Sequence, residues 1–182
     1  MAEDQLEQSR EDAERQSREQ AMKVTYWVDD DMSQSVRLHL VNRSLDPVSG
    51  VRLRFEAQDD SGLLLDLRNE GKYQFDYIVS FSLYMETISP CTEIVIDAGS
   101  LRYGNKRKEF PRPGGVFLSG HKVRFWDRDG AVWERTTTRL QRLEGAEADA
   151  SKWLREGDMY VPGHIAGTPV RKKAASCGEP AG

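Results

Sequence analysis

The sequence predicts a mainly β protein: an immunoglobulin-like antiparallel β-sandwich with an N-terminal α-helical extension and a disordered C-terminal tail. Several short segments alternate apolar and polar residues with the period of two that is typical of half-buried strands. Turn-forming residues separate these segments, and both ends of the chain lack the alternation. We therefore expect a polar helix over residues 1–22, a β-sandwich domain over 23–144, and a short helix and flexible tail over 145–182.

The helix is predicted from composition. Residues 2–22 contain no glycine, no proline and no β-branched residue, so their helix propensity is high throughout. Their apolar residues are too sparse for a buried face, which indicates a solvated helix that frays. The alternative is the end of a coiled coil, which would need an apolar seam that persists over several heptads.

The strongest strand signal is a β-hairpin over residues 123–135, where two aromatic-rich segments flank an Asp-Arg-Asp-Gly turn. Gly130 can take the positive φ that such a turn needs without a steric penalty. Phe125 and Trp133 have large apolar side chains, so we expect this hairpin to contribute to the core. Alternation then places Trp126 and Arg124 on the opposite, outer face of the sheet.

A second hairpin is predicted from residues 36–40 and 51–55, which alternate cleanly on either side of a turn-rich loop. We expect its outer, wet face to carry four polar side chains, namely Arg37, His39, Arg52 and Arg54. Further strands are predicted at residues 24–28 and 94–96, and residues 73–85 predict either one long strand or two strands with a bend. Residues 101–115 have the composition of a loop. The inward-facing residues define a predicted core of Val36, Leu38, Leu40, Val51, Leu53, Phe55, Ile94, Ile96, Val123, Phe125 and Trp133.

Three segments carry a resemblance to other proteins: Val24-Thr25-Tyr26-Trp27, the stretch from Val36 to Pro47, and the Phe-x-Asp-x-x-Gly-x-x-Trp-x-Arg pattern from Phe125 to Arg135. Together they resemble a loose group of uncharacterised actinobacterial proteins, over about residues 20 to 144. The resemblance implies a helix followed by a sandwich, with a membrane anchor in some members. It implies no established activity and no catalytic residues.

Composition argues against several classes of protein. The net charge of −4 gives no general case for nucleic-acid binding. The chain has neither the apolar run of a secretory signal nor the ~20 apolar residues that cross a bilayer, so we expect a cytoplasmic protein without a membrane partner. The two cysteines, Cys91 and Cys177, form no disulfide framework, and we expect both to be reduced.

The sequence offers little for catalysis. His39, His121 and His164 have no metal-ligand spacing, and no nucleophile or phosphate-binding motif is present. A dyad of Cys91 with His39 or His121 has no supporting motif. His39 itself is expected to be a polar surface residue. We expect neither a cofactor nor a metal site.

Acidic clusters provide the alternative function. Loops at one end of a sandwich could bring together the carboxylates of Asp29 to Asp31, Asp59 and Asp60, and Asp127 and Asp129 around calcium or in an enzyme site. Turn formation explains the same residues more simply, because aspartate and glycine are the residues that turns need.

The function that the sequence favours is a non-catalytic protein–protein interaction module. An outward tryptophan beside arginines is typical of interface hot spots. The alternative is a solvated strand face on which the N-terminal helix or a loop covers Trp126. The predicted binding residues are Trp126, Arg124, Arg52 and Arg54, and the partner is an unidentified protein. The sequence does not define the oligomeric state.

Overall fold

A computed structural model describes residues 2–31, 35–59, 75–110, 116–149, 153 and 160–178. These residues form one helix and twelve strands: α1 (Ala2–Met22), β1 (Val24–Asp31), β2 (Ser35–Asn42), β3 (Val48–Asp59), β4 (Phe75–Ile88), β5 (Thr92–Asp97), β6 (Leu101–Tyr103), β7 (Lys108–Glu109), β8 (Val116–Trp126), β9 (Val132–Arg135), β10 (Leu140–Leu143), β11 (Tyr160–Ile165) and β12 (Val170–Lys173). Short 3-10 helices cover Ala98–Ser100 and Gly145–Glu147.

The strands form two sheets. The smaller sheet has the order β1-β2-β5-β12, with every neighbouring pair antiparallel. The larger sheet has the order β10-β9-β8-β3-β4-β11-β6-β7 and is antiparallel except where β11 runs parallel to β4. The mainly β class with an N-terminal helix is therefore confirmed. Its immunoglobulin-like character stays a prediction.

The core lies between the two sheets. Every residue that the sequence predicts for the core is buried in this one cluster. The cluster gains further side chains that the predicted core did not include, among them Phe81, Leu101, Phe110 and Val161. The period-two pattern thus identifies the inward face of each central strand correctly.

The hairpin predicted over residues 123–135 is confirmed, since β8 pairs antiparallel with β9 and Gly130 has a φ of 80°. The alternation over residues 73–85 forms one strand, β4, of which Tyr73 lies outside the described residues. The predicted loop over 101–115 contains two short strands instead, β6 and β7, while residues 111–115 lie outside the described part.

The hairpin predicted between residues 36–40 and 51–55 is wrong. β2 pairs with β1 and β5 in the smaller sheet, whereas β3 pairs with β4 and β8 in the larger one. The connecting loop crosses between the sheets and is held by Asn42, whose side-chain amide donates to the Asp46 carbonyl at 2.9 Å. Alternation reveals strands and their faces but not the neighbour with which a strand pairs, so the sequence pattern could not separate the two strands.

The C-terminal region differs most from the sequence expectation. Residues 160–165 form β11, which lies between β4 and β6, and residues 170–173 form β12, which pairs with β5. Their content of glycine, proline and small residues suggested disorder, but backbone pairing in a sheet needs no apolar run. Near the predicted short helix, residues 145–147 form a 3-10 turn and Trp153 is helical; residues 150–152 and 154–159 lie outside the described part.

A disulfide joins Cys91 and Cys177, so the expectation of two reduced cysteines is wrong. The residues are 86 positions apart in sequence, and no local spacing could indicate the pairing. β12 brings them together by pairing with β5, and the Ala174 amide donates to the Cys91 carbonyl at 2.8 Å. The resulting Cα–Cα distance of 5.1 Å is within the normal range for a disulfide.

Helix α1 is exposed along most of its length, as its composition predicts, but its last turns pack on the sandwich. Ser17, Gln20 and Ala21 are buried there. The Ser17 hydroxyl donates to the Asp127 carboxylate, and the Arg128 amide donates to Gln20 Oε1 at 3.2 Å. The coiled-coil alternative stays a prediction. Within the described residues, no helix is long and apolar enough to span a membrane.

Candidate functional site

The predicted binding residues lie on the outer face of the larger sheet. Strand pairing aligns five outward side chains in one row across the sheet, in the order Tyr84, Arg52, Arg124, Glu134 and Gln141. A second row beside it contains Ser82, Arg54 and Lys122. The two rows together carry four cations and one carboxylate. We call these eight residues the basic face.

Alternation positions these residues. Leu53 and Phe55 of β3 point into the core, as do Val123 and Phe125 of β8, so the arginines between them must point outward. Antiparallel pairing of β3 with both β4 and β8 then sets the side chains next to one another. The basic face is therefore a direct product of strand period and strand order.

Trp153 covers the central part of the basic face. Only 1% of its surface is exposed, and its ring centroid lies 4.9 Å from the Arg54 guanidinium, 4.9 Å from Lys122 Nζ and 5.3 Å from the Arg124 guanidinium. Its indole N–H donates to Ser82 Oγ at 3.4 Å, and its carbonyl accepts a hydrogen bond from Arg54. Cation–π attraction is strongest for desolvated groups, so these contacts hold the indole firmly.

Glu134 provides the negative charge of the basic face. Its carboxylate lies 2.9 Å from Arg124 Nη2 and 3.9 Å from Lys122 Nζ, and it accepts from Gln141 Nε2 at 3.3 Å. Arg124 also donates to the Asp149 carbonyl at 3.3 Å. Arg124 is buried by these contacts. It links strand β8 to Asp149 and Trp153, which follow the last strand of the hairpin region in sequence.

One end of the basic face is accessible. Tyr84 is 60% exposed, and the half-buried Arg52 guanidinium lies 5.6 Å from the centre of its ring. This pair presents a flat aromatic ring and a cation to solvent side by side. Another molecule can contact this pair without moving Trp153.

Trp126 lies on the same outer face, opposite Phe125, and is half-buried. Its ring packs on Gly50, where an added Cβ would come within 2.2 Å of the indole. Gly50 has a φ of 54° and lies in an irregularity of the β3–β8 pairing between Ser49 and Arg52. The close approach of the indole therefore requires glycine at this position.

The four predicted site residues thus lie on one face of the sheet but differ in solvent exposure. Arg54 and Arg124 are buried, whereas Arg52 and Trp126 are half-buried. Sequence reasoning missed Tyr84, Lys122 and Glu134 as members of the face. The alternation of side chains along each strand could have identified them as outward-facing. No sequence signal indicated Trp153, which contacts Arg54 across 99 residues.

His39 lies on the outer face of the smaller sheet, separate from Arg52 and Arg54. The expectation of a surface residue is wrong, because only 6% of His39 is exposed. Its ring stacks on Trp27 at a centroid distance of 4.8 Å, and its Nδ1 lies 2.6 Å from the Glu93 carboxylate. Strand pairing aligns Trp27 with His39, and neighbouring β5 supplies Glu93, so this cluster also follows from strand order.

Within the third carboxylate cluster, that of Asp127 and Asp129, Asp127 has a structural role. The Asp127 carboxylate accepts hydrogen bonds from the amides of Asp129 and Ala131, from the Trp133 indole at 2.9 Å, and from Ser17. Such complete pairing fits turn formation. Asp60 lies outside the described residues, and in the described part no group of three or more histidine, cysteine or acidic residues could hold a metal ion.

The disulfide removes the nucleophile from the dyads considered for Cys91. A cysteine joined to Cys177 has no thiolate to attack a substrate. Burial raises the pKa of the Tyr26 phenol to about 12, and the neighbouring Arg135 opposes this shift in part. Its hydroxyl donates to the His121 carbonyl at 3.0 Å, which is a structural contact.

Comparisons with protein-family models, with curated proteins and with solved structures find no match for this chain.

Proposed function

We propose that the protein is a non-catalytic protein–protein interaction module, and that its contact surface is the accessible end of the basic face together with Trp126. The observation that carries the proposal is the exposed Tyr84 ring beside the Arg52 guanidinium. Tyrosine, tryptophan and arginine are the residues most enriched among interface hot spots. Aromatic rings provide apolar contact area, and arginine provides specific hydrogen bonds.

The chemistry of the surface favours an acidic partner. The two rows of the basic face carry Arg52, Arg54, Lys122 and Arg124 against Glu134, so cations outnumber carboxylates on this face. An extended segment that carries Asp or Glu beside an apolar residue would complement both the charge and the aromatic rings. We propose such a segment of another protein as the ligand.

The location stays a prediction. The sequence favours the cytoplasm, but disulfides persist mainly in oxidising environments, so the Cys91–Cys177 bond argues for a more oxidising location. Binding of an acidic partner does not depend on which location applies.

The test measures binding of a fluorescent eight-residue peptide of alternating Asp and Leu, with a Lys and Leu peptide as the charge control. We expect the acidic peptide to bind and the basic peptide not to bind. Tyr84→Ala and Arg52→Ala should each weaken binding roughly five- to thirtyfold, since truncating a hot-spot residue costs about 1–2 kcal/mol. Fluorescence anisotropy measures the affinity.

Phe117→Ala is the matched control. Phe117 is 61% exposed on the same strand as Arg124, but it lies beyond the basic face. Its removal should leave peptide affinity unchanged, and the melting temperature of each variant checks that the fold persists. Equal binding of both peptides, or an equal loss in all three variants, would refute the proposed surface.

A further inference from the structure

The two edges of the smaller sheet carry opposite charges. β1 ends in three consecutive aspartates, Asp29-Asp30-Asp31, and β12 contains Arg171-Lys172-Lys173. All of β12 is exposed, and so is Asp29. Among the described residues each of these strands has a single neighbour in the sheet, β2 for β1 and β5 for β12. One edge is therefore acidic and the other basic.

In the described part of the chain, both edges present backbone groups that the sheet does not pair. The Ala174 amide donates toward β5, so by alternation the backbone of Lys172 also faces β5, and those of Arg171 and Lys173 face away. On the other edge, the Arg43 amide donates to the Lys23 carbonyl, so the backbones of Val28 and Asp30 face away from β2. Each edge is a template for strand addition.

We propose that two copies of this chain associate head to tail, with β12 of one copy pairing antiparallel with β1 of the next. The sheet order β1-β2-β5-β12 has three antiparallel steps, so β1 and β12 already run in opposite directions. Placing copies side by side along the sheet therefore makes the new contact antiparallel. The sheet continues from one copy into the next.

Charge selects the register. Opposite charges directly across two strands stabilise a pair, and like charges oppose it. The register that places Lys172 opposite Asp29 also places Arg171 opposite Asp30. In that register Arg171 and Asp30 both direct their backbone groups into the new contact, as an antiparallel ladder requires. β12 then occupies the aspartate end of β1, away from the end that joins helix α1.

Charge also selects which edges meet. Charged residues on an edge strand normally prevent sheets from joining. Here two acidic edges repel each other, and two basic edges do the same, but an acidic and a basic edge attract. The Lys172 side chain contacts Glu93 but remains 52% exposed. The Asp29 side chain lies near His39 and remains 56% exposed, so both side chains can take a new partner. A contact between an acidic and a basic edge is heterologous, because it joins two different surfaces of the chain. Every assembly then ends in one unpaired acidic edge and one unpaired basic edge.

The test is sedimentation velocity of the full chain at increasing concentration and low salt. We expect dimers and larger assemblies that dissociate as NaCl rises from about 50 mM to about 500 mM, because salt screens exposed charges. Lys172→Asp with Arg171→Asp should be monomeric, and so should Asp29→Lys with Asp30→Lys. An equimolar mixture of the two variants should assemble again, because every junction then joins opposite charges.

Lys106→Asp with Arg139→Asp is the control, since both residues are exposed cations outside the smaller sheet. This variant should assemble like the unchanged chain. A monomer at every concentration would overturn the proposal. So would an assembly that survives reversal of one edge, since like edges would then be pairing, and so would a mixture that stays monomeric.

Discussion

Each sheet has a tryptophan that packs on charged or polar side chains of its outer face, Trp153 on the larger sheet and Trp27 on the smaller one, and the two differ in what surrounds them. Trp153 is buried over three cations of the larger sheet, whereas Trp27 is 37% exposed and stacks on His39 of the smaller one. Trp27 belongs to the strand it lies on, but Trp153 comes from a distant part of the chain. The tryptophan on the larger sheet is therefore held by long-range cation–π packing, whereas the one on the smaller sheet stacks in a cross-strand pair.

Truncating the two tryptophans should lower the free energy of unfolding by very different amounts. Trp153→Ala should destabilise the protein by about 3–5 kcal/mol, because it removes a buried indole and its contacts with Arg54, Lys122 and Arg124. Trp27→Ala should cost about 1 kcal/mol or less, since surface substitutions usually have small effects. Urea unfolding of both variants measures the free energies. Similar losses in the two variants would contradict the difference in role.

The Cys91–Cys177 disulfide stabilises the smaller sheet, on which Trp27 lies. Cys177→Ser should lower the free energy of unfolding by about 2–4 kcal/mol, because the bond closes a long loop and fastens the edge strand β12. A reducing agent should destabilise the unchanged protein to a similar extent. It should have no effect on the variant, which serves as the control. A protein whose unfolding does not respond to reduction would contradict this prediction.

The smallest effect concerns pH. Burial raises the pKa of Tyr26 from 10.0 to about 12, so between these values the folded state keeps a proton that the unfolded state loses. The contribution of Tyr26 is therefore complete below about pH 10 and falls as the pH rises toward 12. Tyr26→Phe should be less sensitive to alkaline pH than the unchanged protein. Melting temperatures measured from pH 8 to 11 would show it, and parallel curves would contradict it.

What the sequence predicts well is local. Alternation identifies the buried residues of the central strands, and the Asp-Arg-Asp-Gly turn identifies the β8–β9 hairpin. Strand partners are not local, so the pattern around Asn42 suggested a hairpin where the chain changes sheets. The same limit applies to the candidate site. The alternation of side chains along each strand places Arg52, Arg54, Arg124 and Trp126 on outer faces. Only the tertiary structure shows that these residues share one face and that Trp153 covers part of it.

The position of β11 also bears on the order in which the protein can fold during synthesis. β11 pairs with β4 through residues 160–162 and with β6 through residues 163–165. The ribosome synthesises β4 and β6 well before β11. Until β11 is made, the edges of β4 and β6 that pair with it have no partner strand. Such edges are where nascent chains aggregate or bind chaperones. The larger sheet can therefore be completed only after residue 165 has left the ribosome, whatever the earlier strands have already formed.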